Sequence, residues 1–212
     1  MSNNRGYYDI ELDLDQLLLN SADIDAAFYL QDLKQRKLYF NSDVEQSSVH
    51  EIVKHILQIN KEDMGVPVEL RQPIRLYVVS YGGEVDSGFE LIDIIRNSKT
   101  PVYTINLGYQ YSMGFFIGLA GHKRYATPNA KFLLHDGSSF VYNSTAKVKD
   151  QIEFQNKMED RLKEYVLERT NITEEEYTDK FRVEWYLFAD EAKEKGCVDY
   201  IIGEDCDIEE IL

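Results

Sequence analysis

Ser112 heads the run Ser112-Met113-Gly114-Phe115-Phe116-Ile117-Gly118-Leu119-Ala120, after a strand-like segment, Pro101 to Asn106, and a short Gly-Tyr-Gln-Tyr turn. A serine in the first turn of an apolar helix has its hydroxyl beside free backbone N–H groups and the positive end of the helix dipole. A nucleophile whose product is an oxyanion is well placed there. His135 ends a second strand-like segment, Lys131 to His135, and is a candidate base. Ser80-Tyr81-Gly82-Gly83 ends another strand and offers backbone amides free of side chains. These are the parts of a serine hydrolase. Each also has a plainer account: an N-cap, a structural histidine, a glycine turn. The Gly-x-Ser-x-Gly elbow of α/β-hydrolases is absent, since Tyr111 and Met113 flank the serine with Gly108 and Gly114 further out. The order of the three along the chain, more than any one of them, carries the chemical reading.

The elements that would position them follow from apolar periodicity and capping signals. Ala26 to Leu30 and Lys37 to Phe40 read as short strands. Ser48-Val49-His50-Glu51 has the form of a capping box, and Val49, Ile52, Val53, Ile56 and Leu57 then recur at helical spacing. His50 and His55 fall on the surface of that helix, and Lys61 to Gln72 reads as a loop around Gly65 and Pro67. Ile74 to Val79 is a buried strand running into Gly82-Gly83, and Val85, Phe89, Ile92 and Ile95 mark the next helix. Thr100-Pro101 restarts a strand through Ile105, and Lys123 to Ala126 and Lys131 to Leu134 flank a Thr127-Pro128-Asn129 turn. Strand and helix in this rhythm predict an α/β fold with a largely parallel sheet, its active residues gathered where strands end and helices begin. Ser138 to Ser144 reads as a polar loop. Thr145 to Arg169 is a long charged helix with a narrow stripe of Val148, Ile152, Met158, Leu162 and Val166, suited to project from the core and pack on another subunit. Thr173 opens a short helix, Ala189 to Lys195 forms the last one, stopped by Gly196, and Val198 to Ile202 is a final strand. Residues 1 to about 25 read as an N-terminal arm, 26–203 as the catalytic domain with a handle region at about 136–170, and 204–212 as an acidic tail.

Composition narrows the partners. The 212 residues carry a net charge of −15, which repels phosphate backbones and anionic membranes. Nucleic acid and membrane are therefore not expected partners. Acidic residues concentrate at Asp9 to Asp15, Glu174 to Glu176 and Glu204 to Glu210 and read as solvated faces. No apolar run reaches the roughly 18 residues of a membrane helix, and the N-terminus lacks a signal-peptide stretch. Cys197 and Cys206 form neither a disulfide framework nor a zinc signature. A cytoplasmic protein without metal or cofactor is expected.

Several stretches together resemble the Clp protease proteolytic subunit. Leu76-Tyr77-Val78-Val79-Ser80-Tyr81-Gly82-Gly83 is similar to that family's strand ending in Ser-Pro-Gly-Gly, and Tyr111-Ser112-Met113-Gly114 to its Ser-Met-Gly turn. Arg124 to Asn129 followed by Phe132-Leu133-Leu134-His135 resembles its histidine-bearing strand. Ala189-Asp190-Glu191-Ala192 with Gly196-Cys197-Val198-Asp199 resembles its C-terminal Ala-x-Glu-Ala…Gly-Leu-Val-Asp element. The likeness runs from about Lys34 to Gly203. It implies the Clp protease–crotonase spiral of strand-strand-helix units with a projecting handle helix. It also implies a serine endopeptidase with Ser112 as nucleophile, His135 as base, and the amides of Gly83 and Met113 as oxyanion hole. The substrate would be unfolded polypeptide inside a homo-oligomeric ring, possible stacked rings included, fed by an AAA+ unfoldase. Tyr77 falls where the family's aromatic lines an unfoldase-docking groove; a core tyrosine accounts for it equally well.

The sequence departs from the family at informative places. Glu184 stands where the family has its aspartate, with Asp179 as the alternative third member. Val183 replaces the neighbouring arginine that takes part in ring–ring contacts. Tyr81 replaces the motif proline, Tyr111 a small residue, and Asp136-Gly137 a Gln-Pro pair. Three other readings stay open on the same residues. They are a catalytically impaired structural or regulatory subunit, a crotonase-like acyl-CoA enzyme, and a Ser–Lys peptidase using Lys123 or Lys131.

Overall fold

The computed structural model describes residues 24–137 and 144–212. Most of the expected N-terminal arm and of the loop before the long helix lies outside them. The chain runs α1 (Ile24–Lys34), β1 (Lys37–Phe40), α2 (Gln46–Glu62), β2 (Ile74–Val78), α3 (Val85–Asn97), β3 (Val102–Asn106), β4 (Tyr109–Tyr111), α4 (Met113–Leu119) and β5 (Lys123–Ala126). It continues with β6 (Lys131–Leu134), α5 (Thr145–Arg169), α6 (Glu174–Phe181), β7 (Trp185–Phe188), α7 (Ala189–Glu194) and β8 (Tyr200–Ile201).

Five parallel strands in the order β1-β2-β3-β5-β8 form the main sheet. A parallel sheet is covered on both faces, so its strands are apolar throughout, as in β2, where all but Arg75 are buried. One face packs with Val49, Ile52, Val53 and Ile56 of α2 and Leu91, Ile92 and Ile95 of α3 in the principal core. The other carries Tyr77, Ile105 and Tyr125, closed over by Ile202 and Ile211. The acidic tail thus folds back onto the sheet: Ile211 is buried, and the Tyr77 hydroxyl donates to its carbonyl.

A second sheet, β4-β6-β7, carries the catalytic candidates. β4 runs parallel to β6, and β7 antiparallel to it, with Leu134 facing Trp185. A single bridge between Ser80 and Gln110 ties it to the end of β2. Every residue of α4 is buried, as its apolar sequence requires. Its C-terminal end is held by α5: Tyr165 donates to the Phe116 carbonyl at 3.1 Å, and Arg169 to those of Leu119 and Gly121 at 3.1 and 2.6 Å.

Several expectations need correction. Ala26 to Leu30 lies inside α1 and not in a strand; Ala27 and Leu33 are buried, and Leu30 between them is partly buried against the core. The Gly-Tyr-Gln-Tyr segment is strand β4, because β6 supplies a parallel partner 22 residues on in the register Tyr109 to Lys131. Helix α2 starts at Gln46, so Ser48 is the third residue of its first turn, reaching back to the Glu45 amide at 3.3 Å. Thr173 caps α6 as expected, accepting from the Glu176 amide at 3.2 Å. Strand β8 keeps only Tyr200 and Ile201 of the predicted Val198 to Ile202. The bounds of α5, β5 and β6 are those expected. The α5 helix leaves Ile152 and Phe154 exposed toward its start and buries Leu162, Tyr165 and Val166 toward its end. No helix among the described residues is long and apolar enough to cross a membrane.

Candidate active site

Ser112 sits where the ends of β2, β4 and β6 meet. Its amide donates to the Leu133 carbonyl at 2.9 Å, extending the β4–β6 ladder by one residue, and its carbonyl accepts from Phe115 at 2.9 Å, starting α4. Held from both sides, the residue adopts φ 50 and ψ −124. A non-glycine residue in this region costs about 1–3 kcal/mol and persists only where its surroundings over-determine it. Such strain is typical of a strand-to-helix turn that presents a nucleophile. No side-chain capping bond occupies the hydroxyl, so an N-cap role does not account for this serine.

The amide donors come from Gly83 and from the helix start, since the Gly82 N–H donates to the Ser80 hydroxyl at 3.1 Å. Gly82 has φ 98, and a Cβ there would lie 2.7 Å from that of Ser112. Gly83 has φ 146, and a Cβ would lie 2.3 Å from the Val44 carbonyl oxygen. Val44 bridges Gly83 in parallel, donating to the Gly82 carbonyl at 2.7 Å and accepting from Glu84 at 2.8 Å. In such a bridge the N–H of Gly83 itself points to the opposite side. Met113 is the first residue of α4, so its N–H has no acceptor within the helix.

Ser112, Met113, Gly83 and His135 line one cavity of about 360 Å³, floored by Val85, Phe116, Met158, Leu162 and Phe181. Neither Lys123 nor Lys131 is among its lining residues. The Lys123 ammonium lies over the rings of Tyr103 and Tyr200, at 5.1 and 5.7 Å, on the main sheet. His135 is half-buried one residue past β6, and the next amide, Asp136, donates to the Phe181 carbonyl at 2.7 Å, pinning the strand end.

Glu184 immediately precedes β7. The β6–β7 ladder ends at the Leu134–Trp185 pair, so His135 and Glu184 are the next residues on the two strands, and the bond from the Asp136 amide to the Phe181 carbonyl shows that the register is not kept beyond them. Its carboxylate accepts from the Tyr186 hydroxyl at 2.9 Å. Asp179 is on exposed α6, off this ladder. Among the described residues no hydrogen bond joins Ser112 to His135 or His135 to Glu184; such bonds are commonly long in a site without substrate.

Four tyrosines surround the serine turn, of which Tyr81 and Tyr111 were singled out in the sequence and Tyr109 and Tyr186 were not. Tyr81, on the cavity wall, packs on Tyr109 (centroids 4.4 Å apart) and Tyr111 (5.8 Å), and Tyr111 meets Tyr186 edge-on at 5.7 Å. Burial, then the neighbouring Tyr81, raises the Tyr111 pKa, and the bond to Glu184 raises that of Tyr186, so both stay protonated donors. The signal available was the spacing of Glu184 and Tyr186, which share a face once Trp185 to Phe188 is read as a strand.

The model of the family described as Clp protease matches residues 22–205. The chain belongs to the Clp protease family. Among its curated relatives, the ATP-dependent Clp protease proteolytic subunit of Deinococcus radiodurans is 28% identical over 178 residues, covering 83% of this chain and 84% of the relative. Subunit 1 of Streptomyces avermitilis is 33% identical over 177 residues, covering 80% and 76%. Subunit 1 of Corynebacterium jeikeium is 32% identical over 173 residues, covering 80% and 88%. Family membership indicates a peptidase. The matched span of this Clp protease family member contains both sheets, α4 and α5, and therefore every residue of the candidate site.

Proposed function

We propose that this chain is a serine endopeptidase that cleaves unfolded polypeptide, with Ser112 as nucleophile, His135 as general base and Glu184 as the group that orients the histidine. The observation that carries this is the strained Ser112 turn at the head of buried α4, sharing one cavity with His135 and Gly83. The Ser112 oxygen attacks the peptide carbonyl carbon as His135 takes its proton. The carbonyl electron pair moves to oxygen, facing the amides of Gly83 and Met113. Collapse expels the amine, which receives the proton from His135 and leaves an ester on Ser112. Water, deprotonated by His135, hydrolyses that ester and restores the serine. Preorganised amides of this kind supply the largest stabilising contribution in acyl transfer.

The relatives' names, proteolytic subunits of an ATP-dependent protease, support assembly of this chain with an ATP-consuming partner; we take the assembly to be a homo-oligomeric chamber in the cytoplasm served by an AAA+ unfoldase. This chain lacks the Gly-x-x-x-x-Gly-Lys-Ser/Thr phosphate loop, so a partner would supply the energy. A short fluorogenic peptide, small enough to need no unfolding, tests the reading. Ser112→Ala and His135→Ala are each expected to lower turnover by at least about 10³-fold, as removal of such groups does elsewhere. Turnover by Ser112→Ala equal to that of the parent protein would refute it. One observation favours a structural or regulatory subunit instead: the Glu184 carboxylate is engaged by Tyr186 and not by His135. Inactivity of the assembled parent protein, with and without an unfoldase, would select that reading.

A further inference from the structure

We propose that Tyr186 is a positioning residue that holds the Glu184 carboxylate toward His135. The inference rests on the role assigned above to Glu184. A glutamate has one more rotatable bond than an aspartate, and an exposed one spreads its carboxylate over several staggered wells. Only some of those wells reach a histidine across the ladder, so Glu184 needs a second anchor to be as well aimed as a shorter acid.

The structure supplies that anchor. Glu184 and Tyr186 are two residues apart at the start of β7 and lie on one face of the strand. The Tyr186 hydroxyl donates to Oε2 of Glu184 at 2.9 Å, which leaves Oε1 for the histidine. The tyrosine ring is exposed on one side and braced on the other. It stands edge-on to Tyr111, the residue before Ser112, with planes at 86°, and Tyr111 packs in turn on Tyr81 at the cavity wall. The hydroxyl is therefore a post referenced to the nucleophile turn through Tyr111, and the carboxylate bound to it is referenced to the same turn. The raised pKa of Tyr186 keeps the post a donor throughout the neutral range.

Tyr186→Phe removes the hydroxyl and keeps the ring contact with Tyr111. Rates of Ser112 phosphonylation by a fluorophosphonate, which releases fluoride, followed by intact mass, would be compared for the parent protein, Tyr186→Phe, Glu184→Ala and the double variant. Saturating rate and half-saturating concentration would be read separately. Freeing a side chain into about three wells predicts a three- to tenfold lower saturating rate for Tyr186→Phe, with an unchanged half-saturating concentration. In the Glu184→Ala background the same change should cost nothing. An equal cost in both backgrounds would mean that Tyr186 acts otherwise than through Glu184, and would overturn the inference. A parent-like rate for Tyr186→Phe together with a slow Glu184→Ala would overturn it while leaving the triad intact. A parent-like rate for Glu184→Ala would remove Glu184 from the triad and this inference with it.

Discussion

Gly82→Ala should displace the serine turn directly. The added Cβ would lie 2.7 Å from Ser112 Cβ, 2.8 Å from the Tyr111 carbonyl oxygen and 2.9 Å from the Met113 amide nitrogen, where ordinary contact begins at 3.4 Å. Two of the three neighbours are backbone atoms and cannot rotate aside. Relief needs a shift of roughly 0.7 Å in the Ser112–Met113 turn, and catalytic groups tolerate about 0.5 Å. A misplacement near 1 Å costs on the order of 10²-fold in rate, so phosphonylation of Ser112 by a fluorophosphonate should slow by roughly 10²-fold. Overpacking adds about 1–3 kcal/mol of destabilisation, and the positive φ of 98 adds about 1 kcal/mol more. Gly65→Ala separates the two costs, since Gly65 has φ 90 with nothing within 4 Å of the added methyl group. It should lose only the conformational part, about 1 kcal/mol, and react with a fluorophosphonate at the parent rate. Urea unfolding at one protein concentration, with phosphonylation by the fluorophosphonate followed by mass, gives both numbers. Equal stability of the two alanine variants with equal phosphonylation rates would refute the geometry drawn for the turn.

Arg36→Ala should cost about 1–3 kcal/mol, the usual penalty for leaving a buried acceptor unsatisfied, since the guanidinium is only partly buried. It leaves the buried Asp63 carboxylate with Thr100 but without the guanidinium that now donates to both its oxygens at 2.8 and 2.6 Å; urea midpoints check this. Burial lowers the His122 pKa below 6.5, with Arg169 acting in the same direction against the Val102 hydrogen bond. A depressed folded pKa means that its stabilising contribution is present above pH 6.5 and is lost as pH falls toward the folded value. His122→Gln should flatten that acid slope, and a slope unchanged in unfolding titrations would contradict it. Burial pushes the Cys197 thiol up to about 12, whereas Cys206 is half-exposed with a smaller rise. A disulfide reagent should therefore modify one thiol slowly in the native protein and two in urea; two in the native protein would refute the burial of Cys197.

Much of this was legible in the sequence because the informative residues punctuate themselves. Thr127-Pro128-Asn129 breaks the chain between β5 and β6, so both strands emerged with their observed bounds. The charged run of α5 has one apolar stripe and no breaker, so its length did too. What was misread depends on partners distant in sequence. Ala26 to Leu30 has strand-forming residues, yet Ala27, Leu30 and Leu33 recur every three residues toward the core. β4 has only three residues and owes its strand state to β6 and to the Ser80 bridge. β7 is a run of four apolar residues without alternation, made a strand by β6, about 50 positions earlier. The site suffered in the same way. Ser112, His135 and the glycine amides were visible as strand ends, whereas the link from Glu184 through Tyr186 to Tyr111 required β7 to be known.

The central claim is that Ser112 is an activated nucleophile. Intact-mass measurement after fluorophosphonate treatment, on the assembled parent protein and on Ser112→Ala, tests it most directly. One adduct per chain, absent from Ser112→Ala, is the predicted result. No adduct on the folded and assembled parent protein, or an adduct that persists in Ser112→Ala, would contradict it.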